Sequence, residues 1–128
     1  MLIIIAIAAG VAVALQGRVM GAADRAAGTA ASVFVTYGTG GLLAAIYFLT
    51  SGANLRKVPW FSWSAGILGL VIVAGIGYAA PRLGLAKTLV ITVAAQLLAA
   101  TLLEQSFDLR KAAGLALTIA GVWLTVKA

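Results

Sequence analysis

Gln96 is the residue that most needs an explanation. It sits inside "LGLAKTLVITVAAQLLAATLLEQ", an otherwise apolar run with the character of a membrane span. A primary amide brings two donors and an acceptor into a place with almost no water. Thr92 and Thr88 precede it by four and eight residues, and Glu104 follows it by eight, so one helical face carries a polar stripe. Such a stripe fits a substrate pathway between helices, and Gln96 and Thr92 are candidates to line it. The competing reading is an interhelical hydrogen bond, worth about 1 kcal/mol in lipid. Glu104, at the end of the stripe, is a candidate proton site if it is drawn inward, and a carboxylate that snorkels to water if it is not.

A second polar patch is "TYGTGG", where Thr36, Tyr37 and Thr39 alternate with glycines. Tyr37 is a candidate pathway residue, and the thin glycine cover suits a pathway wall or a hinge. Trp63 belongs to the cluster Trp60, Phe61 and Trp63, which an interfacial aromatic belt explains. Trp63 is also a candidate at the edge of the pathway.

The elements that must position these residues follow from composition. The 128 residues are 63% hydrophobic and 9% charged, with a mean hydropathy of +1.13. A soluble domain of this size could not hide that much apolar surface, so lipid is the solvent for most of the chain. Five apolar blocks, about 2–17, 28–51, 60–80, 83–103 and 112–126, predict an all-α integral membrane protein with five spans in one transmembrane domain. The first and last blocks are short for a span. The N-terminus "MLIIIAIAAGVAVALQGR" is apolar from its first residue and has no basic segment before the apolar stretch, so the first block reads as a retained span rather than a signal peptide. Asp24 falls in the break after it, and this reading leaves the first three spans without an acid. "APRLG" reads as a tight turn around Arg82, and "EQSFDLRK" is the break that mixes acids with bases.

Composition also excludes. There is no Cys and no His, and only Asp24, Glu104 and Asp108 are acidic, which leaves no usual metal site, no cofactor anchor and little material for an enzyme. The net charge of +6 is spread between apolar blocks, so it suits lipid headgroups better than nucleic acid. With five spans, Arg18, Arg25, Arg82, Lys87 and Lys127 share one side, and Arg56, Lys57, Arg110 and Lys111 the other. That near balance gives the positive-inside rule nothing to act on. It fits either weak bias or dual topology, in which the chain inserts both ways and pairs with itself.

Gly114 and Gly121 lie seven residues apart in "GLALTIAG", with Thr118 between them on nearly the same stripe. Small residues on one face let helices approach closely in lipid, within the chain or between chains.

The segments "VPWFSWSAGILG", "APRLGLAKTLVITVAAQLLAATLLEQ" and "AAGLALTIAGVWL" resemble the small bacterial YdcZ-type proteins of the drug/metabolite transporter superfamily, over about Leu15 to Val126. The resemblance implies a five-helix, half-size transporter of the inner membrane. Two copies, or two paralogues, would associate antiparallel and carry a small-molecule substrate by alternating access. It also implies that Gly114, Thr118 and Gly121 serve the dimer contact, as a similar glycine motif does in small multidrug resistance relatives. Ala95 and Glu104 stand where the family often has Gly and Asp. The essential first-helix Glu of the small multidrug exporters has no counterpart, since Gln16 is the only strongly polar side chain in "LIIIAIAAGVAVALQG". An accessory protein that assembles with another transporter is the alternative.

Overall fold

The computed structural model describes residues 1–104 and 108–127. Residues 105–107 of the "EQSFDLRK" break, and residue 128, lie outside them. Five helices follow one another: α1 (Leu2–Ala27), α2 (Thr29–Ser51), α3 (Ser64–Leu83), α4 (Leu85–Leu103) and α5 (Leu109–Lys127), with two short 3₁₀ turns, Leu55–Lys57 and Trp60–Trp63, between α2 and α3. All five are long and apolar enough to cross a membrane.

The connections explain the packing order. Single glycines, Gly28 and Gly84, join α1 to α2 and α3 to α4, with φ/ψ of 84°/163° and 93°/142°. Only a residue without Cβ adopts that conformation cheaply. Each glycine closes one helix and opens the next. The Gly28 amide donates to the Asp24 carbonyl at 2.8 Å and the Gly28 carbonyl accepts from Ser32 N at 3.1 Å; the Ala80–Gly84–Thr88 bonds, both 3.0 Å, repeat the pattern. The two hairpins share one end, where α1 packs on both α2 and α3.

Two boundaries differ from the sequence expectation. α1 continues ten residues past the apolar block, because nothing between Gly17 and Ala27 breaks a helix and Gly17, Met20, Gly21 and Asp24 are buried there. Asp24 is therefore inside the first helix, which corrects its placement in a break after that helix. Pro81 is not in the turn: α3 runs through it to Leu83, and its ring packs where Gly21 leaves room, 3.7 Å from an ideal Cβ at that glycine.

The buried residues concentrate at the hairpin end. Met20, Ser32, Gly77, Ala80 and Thr88 are buried there, and Gly77 packs tightly under Met20, whose Cε would have to shift from 2.9 Å to admit a Cβ. Ser32, 1% exposed, donates its hydroxyl to the Met20 carbonyl at 3.0 Å. Elsewhere the helix faces are open and apolar, as lipid-facing or partner-facing surfaces are. Among the described residues α5 packs on α4 alone.

Candidate functional site

The middle of α3 has a recess on each flank. On one side, Gln16 of α1, Thr36, Tyr37 and Gly40 of α2 and Val73 of α3 line a recess of about 380 Å³. On the other, Thr92 and Gln96 of α4 face Val71, Ile72, Gly75 and Ile76 of α3 around a second recess of about 380 Å³. Tyr37, Val73 and Gln96 each lie near the centre of their own helix, so both recesses reach mid-depth, with Gln16 closing the first toward Arg18. Transporter sites built from repeats lie at that depth.

The structure thus brings Thr92 and Gln96 together, and Tyr37 with Gln16. It does not put the two groups in one cavity, because α3 stands between them. Tyr37 also borders a wider apolar recess of about 770 Å³ with Phe34, Leu70 and Ala74. Its hydroxyl lies over the backbone of Gly69, where an added Cβ would come within 2.6 Å of it.

Hydrogen bonding separates the threonines from the glutamines. Thr88 Oγ1 donates to Gly84 O at 3.0 Å, Thr92 Oγ1 to Thr88 O at 2.8 Å and Thr36 Oγ1 to Ser32 O at 2.8 Å. Each hydroxyl hydrogen is spent on its own helix, so these residues can only accept from a ligand. Gln16 and Gln96 have no hydrogen-bond partner among the described residues, and both are exposed. An amide in hydrocarbon without a partner costs several kcal/mol. These two side chains therefore need water, a ligand or another chain.

Trp63 and Glu104 lie elsewhere. Trp63 is exposed at the start of α3, beside the edge-to-face pair Trp60 and Phe61, and lines none of these recesses. Glu104 caps α4 about 12 Å along the helix from Gln96. Its side chain is 65% exposed and pairs with Lys111 Nζ at 3.3 Å. The geometry there is that of a carboxylate at the membrane edge.

Thr118 and Gly121 border a shallow recess of about 420 Å³ between α5 and Leu89, Val90 and Val93 of α4. Gly114 points into open space, and a Cβ at Gly114 or at Gly121 would meet no atom within 4 Å. Neither glycine is required by packing within the chain.

Sequence reasoning missed the polar clasp at the hairpin end. Asp24, with its side chain 4% exposed, accepts from Thr29 Oγ1 and from Arg82 Nη1, the latter at 3.0 Å. Arg82 also donates to the Tyr78 carbonyl at 2.7 Å and stacks 3.7 Å above the Tyr78 ring. The ion pair ties α3 to α1, and the Thr29 hydrogen bond to the same carboxylate adds α2. The available signal was the five-residue spacing from Asp24 to Thr29 across a glycine, a helix-end pattern that becomes visible once α1 is extended to Ala27.

Five spans around small, mostly apolar recesses that carry a few polar side chains define a multi-pass integral membrane protein. Residues 1–124 match the family model DMT_YdcZ, described as "Putative inner membrane exporter, YdcZ", and the chain belongs to that family. It is an inner-membrane protein, and its family is described as exporters. No curated protein and no solved structure matches the chain.

Proposed function

We propose that the chain is a small-molecule transporter that works by alternating access as an antiparallel dimer. The observation that carries this reading is the pair of exposed glutamines, Gln16 and Gln96, facing recesses at mid-depth on opposite flanks of α3. A second copy laid against the open faces would enclose both recesses and give the amides water or substrate. Membership in an exporter family supports the same reading. Gln96 and Thr92, with Tyr37, line the pathway, and the open faces of Gly114, Thr118 and Gly121 form the contact between copies. The open side of α5, held by α4 alone, supports that contact.

The test compares the metabolites released by cells expressing the chain with those released by cells lacking it. Gln96→Leu should abolish chain-dependent release while cross-linked dimer persists. Loss of the dimer in that variant, with release per dimer unchanged, would make the amide structural and refute the pathway. Release that requires a co-expressed partner would instead support the accessory role.

A further inference from the structure

We propose that the recess between α1 and the α3–α4 turn binds a phosphate-class anion at the headgroup level of the membrane. This inference is independent of the transport reading. The recess holds about 470 Å³ and is walled by Arg18, Gly21, Ala22 and Arg25 of α1, facing Pro81 and Gly84. Unlike the recesses at mid-depth, its walls carry charge.

Arg18 and Arg25 are seven residues apart, two helical turns, so they share a face and are spaced about 10 Å along the axis. Neither donates a hydrogen bond to, or forms a salt bridge with, another described residue. Arg82, nearby, is occupied by Asp24 and Tyr78, and Asp24, the one acidic side chain at this end among the described residues, lies within longer-range electrostatic reach of Arg25 as well. Gly21 forms the floor, and a Cβ there would sit 3.7 Å from both Arg25 Nη1 and Pro81 Cδ, within the recess. The first turn of α4 opens onto the same space, and its amides have no partner in their own helix. Lys87 in that turn donates to the Val126 carbonyl at 3.3 Å.

Depth identifies the ligand chemistry. Arg18 ends the apolar stretch of α1, and α4 begins at the same level, so the recess lies where a bilayer keeps its phosphates. Guanidinium groups bind phosphate oxygens bidentately, and basic pockets between helix ends suit anionic headgroups. The phosphate could belong to an anionic phospholipid or to a soluble solute.

Purified full-length protein in neutral detergent would be titrated with phosphatidylglycerol, with phosphatidylcholine and, separately, with inorganic phosphate against chloride at equal ionic strength. Binding is read by native mass spectrometry and by thermal shift. Phosphatidylglycerol binding that weakens at least tenfold in Arg18→Gln/Arg25→Gln, and is unchanged in Arg56→Gln/Lys57→Gln at the opposite end, supports a headgroup site. The same pattern with inorganic phosphate supports a soluble ligand. Equal weakening in both double variants, or no binding of either probe, overturns the proposal. Both arginines are exposed, so helix content by circular dichroism should be unchanged in the variants.

Discussion

Gly69 and Tyr37 offer a perturbation whose size can be worked out. A Cβ at Gly69 would fall 2.6 Å from Tyr37 Oη and 3.8 Å from Cζ. Ordinary contact starts near 3.4 Å, so in Gly69→Ala the hydroxyl must retreat by about 0.8 Å. Tyr37 is 37% exposed and can swing its ring toward the recess, at an off-rotamer cost of about 0.5–1.5 kcal/mol. Replacing a helical glycine by alanine returns about 1 kcal/mol, so Gly69→Ala should be close to neutral in stability. Gly66→Ala, with no atom within 4 Å of its Cβ, should stabilise by up to about 1 kcal/mol. Tyr37→Phe removes the clashing oxygen, so the added methyl should cost nothing in the double variant. The two substitutions should therefore couple by about 1 kcal/mol in a double-mutant cycle. The assay is SDS unfolding of purified protein in mixed micelles, read by tryptophan fluorescence. Additivity within about 0.3 kcal/mol would show that the hydroxyl does not rest on Gly69, and would refute the placement of Tyr37. On the transport reading, Gly69→Ala should reduce release, and Gly66→Ala should not.

Asp24→Ala and Arg82→Ala should each lower the melting temperature, and the double variant should lose less than the sum, because each single change strands the partner of a shared ion pair. Gly121→Leu should leave monomer helicity unchanged, since its Cβ direction is open, but reduce cross-linked dimer at least tenfold; an unchanged dimer would move the contact away from α5. Single cysteines at Ala27 and Asn54, in a chain without native Cys, should each be labelled partly from both sides of the membrane in intact cells if topology is dual. Labelling from one side only would exclude a self-paired antiparallel dimer.

Much of the architecture was legible because lipid imposes a coarse code. A span needs roughly 20 apolar residues, and that requirement alone located five helices and assigned the loop charges to two ends. The contacts Arg82–Asp24 and Lys87–Val126 place the α1, α3 and α5 C-termini together, as that assignment requires. Helix ends were less legible. α1 outruns its apolar block because a helix stops where its backbone bonds stop, not where hydropathy falls, and the stop is Gly28. Gln96 and Thr92 could be paired from their spacing within one helix. Gln16 and Tyr37 could not, since their meeting depends on how α1 and α2 pack.

The sequence by itself determined the solvent, the number of spans, the absence of thiol and imidazole side chains, and which polar side chains interrupt the apolar helices. These follow from composition and from periodicity along single helices. Only the tertiary structure decided that α3 divides the polar residues into two recesses, that Asp24 is a buried clasp partner, and that Arg18 and Arg25 face an open space. The physical reason is that in lipid apolar faces do not choose partners by hydrophobicity. Close fits at Gly17, Gly69 and Gly77, and one ion pair, set which faces meet.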